Sequence, residues 1–433
     1  MMKRRLLDLM LLGVFVFGCT PDQSSLPEPD RIFIKYYGGA KSDEAADFLV
    51  DDDGDLRYVI FAASNSQEIV GERGESNTDF VLIFADKAGN QINSIRSYFP
   101  DTGGESVVCK PKRIIKATAG GFVMAGTIEY SGQSDMFVAK VDADGNLIGT
   151  PWFNNSTQVE VANDIVEVSD GFLVVGSTGT GNSKEALMVK LGFNVEEVIW
   201  TKADGYVDVS DEGISLVPTQ NGNRALMIVN TNQPIDGEGG VSNGNLAVYD
   251  FETNTTQAPN PALLGLLGLD ELNEVAVRVR KISDSEFYLI GNSVGVNSTL
   301  TKPFFLRFIT SSSSANIVAD NIFDDLAGVT VEDISRNVTG DFLIVGSGVV
   351  NLSNGLQMLL CKLDPFGVLD IGFGNGGSGF PAYQFGSLGD ETGAAVSELP
   401  DGGIGLLGTI ALDNNANTLI GFIKTNRNGV LRK

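Results

Sequence analysis

The segment Phe172-Leu-Val-Val-Gly176 decides the fold, because a strand of this kind recurs along the whole chain. Each copy is a run of apolar residues that ends in a small residue, most often glycine. Five copies keep the glycine: Phe122–Gly126, Phe172–Gly176, Phe287–Gly291, Phe342–Gly346 and Ile404–Gly408. Two are degenerate: Val59–Ala63, and Ala225–Val229 followed by Asn230, which we take as the motif end in place of the glycine. Successive copies lie roughly 50 to 60 residues apart, which indicates a repeat architecture with seven units.

Each repeat has the same internal order of four predicted strands. An alternating strand such as Ile165–Val168 precedes a tight turn, Ser169-Asp-Gly171, of the kind that two-residue hairpins need. The apolar strand follows, and its apolar character on both faces suits a position between two neighbouring sheets. A third strand such as Leu187–Lys190 and a weaker fourth such as Val198–Thr201 complete the unit. We therefore predict an all-β, seven-bladed β-propeller of four-stranded antiparallel blades.

The two ends of the repeat region are each incomplete. Ile32–Gly39 resembles a fourth strand and its exit but comes before any first strand, whereas the seventh repeat runs out after Asn428-Gly429. We predict that the ring is closed by the N-terminal strand, paired with Leu419–Lys424, because this pairing leaves no open edge.

The first residues have the pattern of a secretory signal peptide. Lys3-Arg4-Arg5 is a basic region, and Leu9–Phe17 is an apolar run that is too short to span a bilayer. The ending Val16-Phe17-Gly18-Cys19 resembles a bacterial lipobox, which implies lipidation of Cys19 and a lipid anchor in the membrane. An ordinary signal peptide with a chance cysteine is the alternative.

These patterns divide the chain into three parts. We predict a lipoprotein signal peptide at 1–18, a polar, proline-rich tether at 19–30 and the β-propeller at 31–433. The expected location is outside the cytoplasm, lipid-anchored in the bacterial cell envelope and in the outer membrane.

One junction carries a more specific resemblance. The stretch Leu363-Asp-Pro-Phe-Gly367-Val-Leu-Asp370-Ile-Gly-Phe373-Gly374 and the later Leu399-Pro-Asp-Gly-Gly403 resemble the Delta-60 repeat of bacterial β-propellers. The resemblance implies the propeller fold and an extracytoplasmic setting, and it implies no single activity.

Composition excludes several functional classes. The formal charge is −25 with a sequence pI of about 4.3, which argues against nucleic acid as a partner. The chain has no histidine, so Ser-His-Asp and Cys-His nucleophile systems are excluded. No glycine-rich phosphate loop precedes a helix, and we expect no cofactor. Cys109 and Cys361 fall in repeats that are not neighbours, so we expect buried free thiols.

Acidic residues recur near the start of the first strand of most repeats, where they could ring one mouth of the central channel. They are the candidate site residues: Asp43, Glu44, Asp164, Asp211, Glu212, Glu274, Glu332, Asp333, Asp390 and Glu391. They could bind a cation, or they could accept backbone N–H groups between blades. Their register drifts between repeats, and the second repeat has Lys112-Arg113 there, which favours the second interpretation.

Two acidic segments have some likeness to calcium loops. Asp51–Asp55 and Asp142–Asn146 lack the glutamate that a calcium hand needs at its twelfth position, so we interpret them as hairpin turns and predict no metal site.

The sequence favours a non-catalytic module that binds or scaffolds a protein partner at the bacterial envelope. The alternative is a carbohydrate-active or carbohydrate-binding propeller that uses acidic residues at the channel mouth. No sialidase-type box is present, and two tryptophans make a poor sugar platform. The apolar run Ala262–Leu269 is interpreted as an insertion, either a packed flap or a contact site for another protein.

Overall fold

A computed structural model describes residues 32–71, 77–100, 106–154, 156–205, 209–232, 245–269, 272–295, 300–349, 355–374, 382–383, 389–412 and 417–431. Within these ranges, 28 strands form seven four-stranded antiparallel sheets. The predicted seven-bladed β-propeller is therefore confirmed. The signal peptide and tether predicted for residues 1–30, with Cys19, lie outside the described residues.

The first three blades follow one another along the chain. The N-terminal strand is β1 (Phe33–Tyr37). Blade one contains β2 (Asp43–Asp51), β3 (Arg57–Ser64), β4 (Asp79–Asp86) and β5 (Arg96–Tyr98). Blade two contains β6 (Val107–Lys116), β7 (Phe122–Tyr130), β8 (Gln133–Val141) and β9 (Trp152–Phe153). Blade three contains β10 (Glu160–Val168), β11 (Gly171–Thr178), β12 (Glu185–Leu191) and β13 (Val198–Asp204).

The remaining blades repeat this order. Blade four contains β14 (Asp211–Thr219), β15 (Arg224–Thr231), β16 (Asn245–Glu252) and β17 (Ala262–Leu267). Blade five contains β18 (Leu272–Ser283), β19 (Glu286–Gly295), β20 (Thr301–Thr310) and β21 (Ala315–Ile322). Blade six contains β22 (Val329–Arg336), β23 (Phe342–Gly348), β24 (Gln357–Leu363) and β25 (Ala382–Tyr383). Blade seven contains β26 (Glu391–Glu398), β27 (Ile404–Leu412), β28 (Asn417–Thr425) and β1.

Helical structure is confined to short turns in the described residues. The helix α1 is Gln67–Val70, and single 3₁₀ turns lie at Gly181–Ser183, Gln220–Gly222 and Asp324–Leu326.

The N-terminal strand closes the ring, as predicted. β1 runs antiparallel to β28, with Phe33 opposite Lys424 and Tyr37 opposite Ile420. The Phe33 ring packs against Phe422, and the Tyr37 hydroxyl donates a 2.8 Å hydrogen bond to the carbonyl of Gly89 in blade one. This short strand therefore joins blade seven to blade one.

The recurring glycine has a steric cause. Each first strand contains a β-bulge, an extra residue that bends the strand, and the glycine of the second strand lies opposite the residue that precedes the bulge. At Gly176, an added Cβ would lie 1.7 Å from the carbonyl oxygen of Val161. The apolar-Gly signature thus marks the position of the bulge.

The degenerate copies are displaced by one residue from the predicted motif end. Ala62 pairs with Ala45 before the bulge of blade one, and Val229 pairs with Gly213 before the bulge of blade four. These positions, rather than Ala63 and Asn230, correspond to the glycines of the other blades.

The interpretation of Ala262–Leu269 as an insertion is wrong. Residues Ala262–Leu267 form β17, the fourth strand of blade four, and Leu264 and Leu267 are buried in the core. The sequence was misleading because β17 consists only of alanine, leucine and glycine, whereas the longer fourth strands β13 and β21 mix apolar with polar residues. Cys109 and Cys361 are both buried and are not joined in a disulfide, and burial raises the pKa of Cys361 to about 12.

Candidate functional site

The β-bulges point one residue of each first strand toward the channel at the same level. The first strands of successive blades contact one another around the ring, and β26 contacts β2. The residue that resumes the pairing after each bulge is, in blade order, Asp47, Arg113, Asp164, Ser215, Arg278, Asp333 and Ala395. We refer to the three aspartates and two arginines of this set, together with Arg280, as the central charge ring.

Opposite charges alternate around most of this ring. Arg113 Nη1 lies 3.0 Å from Asp47 Oδ2, and Arg113 Nε lies 3.6 Å from Asp164 Oδ1. Arg278 bridges two aspartates, at 3.4 Å from an oxygen of Asp164 and 3.4 Å from one of Asp333. Three carboxylates therefore alternate with two guanidinium groups at this level.

Arg280 extends the ring from the level of the bulges toward the end of the channel where the first strands turn into the second strands. Its Nη2 lies 3.1 Å from Asp333 Oδ1, and its Nε donates to the carbonyl of Ile334 at 3.3 Å. Because Arg280 is two residues after Arg278 on β18, both side chains point to the same face of the strand.

The three aspartates also accept backbone N–H groups from the next blade. Asp47 accepts from Ile114 at 3.0 Å, Asp164 accepts from Leu216 at 3.0 Å, and Asp333 accepts from Val396 at 3.2 Å. These carboxylates thus fasten blade one to two, three to four and six to seven. For Asp164 and Asp333, these hydrogen bonds agree with the interpretation from sequence in which the acidic residues accept backbone N–H groups between blades.

Burial and mutual charges set opposite pKa directions within the ring. Desolvation raises the pKa of Asp47 above its ordinary value, against the nearby positive charge of Arg113. At Asp164 the two guanidinium groups of Arg278 and Arg113 outweigh desolvation, so its pKa is lowered. Burial, with repulsion from Arg113, lowers the pKa of Arg280 to about 10.

A second group of charges surrounds the channel end at which the first strands begin, which we call the strand-start mouth. Glu44, Glu212 and Glu332 line a cavity of ≈ 810 Å³ there, together with Lys112. Glu212 is paired with Lys184 at 2.9 Å. Desolvation raises the pKa of Glu332, although the residue keeps contact with solvent. Three predicted site residues therefore share one cavity.

The other predicted acids lie away from this cavity. Four of them are buried at or near the start of a first strand: Asp43, Asp211 and Glu391 are the first residues of their strands, and Glu274 is the third residue of β18. Asp43 accepts from the backbone N–H of Gly39 at 2.8 Å, and Glu274 accepts from that of Leu269 at 2.6 Å. Asp390 accepts from the N–H of Leu356 at 2.8 Å.

At the opposite end of the channel, where each first strand turns into the second, lies a cavity of ≈ 840 Å³ that we call the turn-side cavity. Its inner end contains Asp47, Arg113, Arg280 and Asp333 of the central charge ring. Its outer walls include the apolar residues Phe48, Val50, Val338, Val396, Leu399 and Pro400, and they also include the acidic residues Asp52, Glu398 and Asp401.

The segments with some likeness to calcium loops use their carboxylates locally. Asp142 accepts from the N–H groups of Asp144 and Asn146 at 2.9 and 2.8 Å. Asp51 is bound to Arg57 at 2.8 Å and to Lys116 at 2.9 Å. Across the residues that the structure describes, no group of three or more acidic or cysteine side chains could hold a metal ion.

Sequence reasoning missed Asp47, Arg278 and Arg280 as channel residues, and it treated Arg113 as an irregularity. A partial signal exists: in five blades the residue that follows the bulge is the fourth after the first residue of its strand, as Asp47 is after Asp43. In blades two and five it is the sixth, so Arg113 and Arg278 break this spacing. Aligning the repeats on the bulge instead of on the Asp-Gly turn places all seven residues in one column.

Comparison with known proteins finds similarity to solved structures at low sequence identity. No protein-family model matches the chain, and no curated protein matches it by sequence. A protein of unknown function from Dyadobacter fermentans is 10% identical, with a TM-score of 0.47 over 90% of this chain and 97% of that one. The Nup133 β-propeller domain of Vanderwaltozyma polyspora is 10% identical, with a TM-score of 0.47 over 92% and 99%.

The β-propeller domain of the Trilobed protease from Pyrococcus furiosus is 9% identical, with a TM-score of 0.46 over 90% of this chain and 97% of that chain. In the described part of the chain, no helix has the length and apolar character needed to cross a membrane.

Proposed function

We propose that this chain is a non-catalytic β-propeller that is lipid-anchored through Cys19 and binds or scaffolds a protein partner at the bacterial envelope. The observation that carries the non-catalytic part is the central charge ring. Its three aspartates are paired with guanidinium groups and bonded to backbone N–H groups. Carboxylates held in this way are poor general acids or nucleophiles, because both roles need a free oxygen facing a substrate.

The position of β1 supports the tether. Phe33 pairs with Lys424, so the chain enters the propeller at the turn side of the rim. Between Cys19 and Ile32, a fully extended chain could span about 43 to 47 Å, at roughly 3.3 to 3.6 Å per residue. A tether of this reach would let a partner approach either face of the ring.

Two measurements test the proposal. Membrane fractionation of the wild type and Cys19→Ala tests the anchor, and we expect the variant to leave the membrane fraction or to remain unprocessed. Isolation of the wild type from detergent-solubilised envelopes tests for a partner, and the expected result is a stoichiometric protein that is also recovered in the reverse experiment. Absence of any such partner would contradict the scaffold role.

The second candidate is a carbohydrate-active propeller, and one observation favours it. Glu332 has a raised pKa and shares the strand-start mouth with Glu44 and Glu212, as a general acid beside other carboxylates would. Turnover of an envelope glycan by the wild type, abolished in Glu332→Gln and kept in Glu68→Gln, would replace the non-catalytic proposal. Glu68 is the matched control because it lies on α1, outside the cavity.

A further inference from the structure

The turn-side cavity has a charged inner end and outer walls that are apolar apart from Asp52, Ser335, Ser397, Glu398 and Asp401. Arg113 and Arg280 line the inner end, and their side chains are 15% and 24% exposed. Val338 lies at the entrance and is 77% exposed. At the level of the bulge, blade seven has the small Ala395 between Asp333 and Asp47, and Val396 to Gly402 of the same blade line the cavity farther along the chain.

The guanidinium groups have donors to spare at this inner end. Arg280 uses Nε for the Ile334 carbonyl and Nη2 for Asp333, which leaves Nη1 without a hydrogen bond to any described residue. Arg113 contacts carboxylates through Nη1 and Nε, so its Nη2 likewise has no hydrogen bond to any described residue. Each guanidinium group carries five N–H donors.

The neighbouring carboxylates, by contrast, are already engaged. Asp47 accepts from the N–H of Phe48 at 2.9 Å through Oδ1 and from the N–H of Ile114 through Oδ2. Asp333 uses Oδ1 for Arg280 and Oδ2 for the N–H of Val396. Among the charged side chains at the inner end, the groups without a hydrogen bond to a described residue are therefore N–H donors of the two arginines. The buried Ser335 hydroxyl in the cavity lining also lacks a partner among the described residues.

We infer that the turn-side cavity binds a carboxylate carried on an apolar body, with the carboxylate bonded to Arg113 and Arg280 and the body packed against Phe48, Val338 and Leu399. Guanidinium groups are the side chains best suited to carboxylates, because two parallel N–H groups match the two oxygens. A new negative charge between two arginines also relieves the repulsion that lowers the pKa of Arg280.

This chemistry has two sources: a free small organic acid and the C-terminal carboxylate of a polypeptide that ends in an apolar residue. The inference deepens the proposed binding role. It rests on that role in one respect, namely that the ligand is bound and is not chemically converted.

The test uses four probes and isothermal titration calorimetry with the folded chain. The probes are N-acetyl-leucine, N-acetyl-leucinamide, and a five-residue acetylated peptide ending in leucine with either a free or an amidated C-terminus. We expect each free acid to bind at least about tenfold more tightly than its amide, because charge-assisted hydrogen bonds are roughly twice as strong as neutral ones. Tighter binding of the peptide than of N-acetyl-leucine identifies a polypeptide terminus, and equal binding identifies a small acid.

Three variants locate the site. Arg280→Gln should weaken binding of the free acids by about tenfold or more, because it removes a charged donor. Val338→Glu, at the exposed entrance, should weaken binding through charge repulsion while leaving the melting temperature unchanged, so it tests the site even if Arg280→Gln does not fold. Arg336→Gln is the matched control, since Arg336 is exposed at the end of β22 and does not line the cavity.

The outcomes separate this inference from the proposed function. Equal binding of acid and amide, no binding by any probe, or an equal effect of Arg336→Gln would overturn the inference. Cleavage of the bound peptide would overturn the non-catalytic proposal while leaving the carboxylate site in place.

Discussion

The closing strand offers the sharpest test of how the ring is held together. The change is Phe33→Ala, which removes a ring that is 9% exposed and packs 5.7 Å from the Phe422 ring and 6.3 Å from the Tyr58 ring, measured between centroids. Truncation of a buried phenylalanine costs about 3 to 5 kcal/mol in free energy of unfolding. The control is Ile34→Ala on the opposite face of β1, where the side chain is 40% exposed.

The expected shift in melting temperature follows from the chain length. Unfolding entropy is about 2.1 cal/mol/K per residue, or roughly 0.8 kcal/mol/K for about 400 residues, so Phe33→Ala should lower the melting temperature by about 4 to 6 °C. Ile34→Ala should lower it by about 1 °C, since little apolar area is lost. Loss of β1 would also expose the edge of β28, and edges promote association.

The assays are thermal unfolding followed by circular dichroism and a sizing column near the transition. Equal shifts for the two variants would refute the reasoning, because they would show that the Phe33 contact with Phe422 and Tyr58 does not hold the ring closed. The reasoning would also be refuted if the variant that lacks Arg31–Tyr37 had the same melting temperature and the same elution volume as the variant that lacks Thr20–Pro29.

Three further predictions concern single residues. Gly176→Ala should destabilise the fold by about 1 to 3 kcal/mol or more in urea unfolding, because its Cβ would overlap the Val161 carbonyl; unchanged stability would show that the bulge adapts freely. Asp142→Ala should cost about 1 kcal/mol through lost turn hydrogen bonds, and calcium or a chelator should leave the wild-type melting curve unchanged; a calcium-dependent shift would support a metal turn instead. Cys19→Ala should abolish incorporation of labelled fatty acid, and retained labelling would place the acylation elsewhere.

The fold could be predicted from the sequence because its strongest signals are local. The apolar-Gly strand occurs in five blades, and an Asp-Gly turn separates the first two strands in blades one, three and seven. Gly176 shows the steric reason for the recurring glycine. Closure by Phe33–Tyr37 followed from counting strands, since only one strand was missing at one end and one was extra at the other.

The site was harder to predict because it depends on register. A β-bulge shifts the alternation of side chains by one, so residues after it reach a different face from the one that simple period-two counting assigns. Asp164 and Asp333 were found because they stood near strand starts, whereas Asp47, Arg278 and Arg280 were missed. Pairing between Arg113 and Asp47 joins residues 66 positions apart, and such contacts carry no local signal.

The central charge ring consists of buried charged side chains, and the stability of the fold depends on their pairing with one another. Removing one partner of a buried ion pair leaves an uncompensated charge, which costs about 3 to 5 kcal/mol, even where the pair itself adds little net stability. Single neutralising changes in the ring should therefore be more harmful than paired ones.

A double-mutant cycle between Asp47 and Arg113 tests the central claim most directly, since the proposal of a non-catalytic channel depends on charges that satisfy one another. The free energies of unfolding of the wild type, Asp47→Asn, Arg113→Gln and the double variant would be measured by urea titration. At a separation of 3.0 Å, we predict a coupling energy of about 1 to 3 kcal/mol, with the double variant more stable than the sum of the single effects implies. A coupling energy near zero would show that the two side chains act independently, and it would contradict the paired ring on which the account is built.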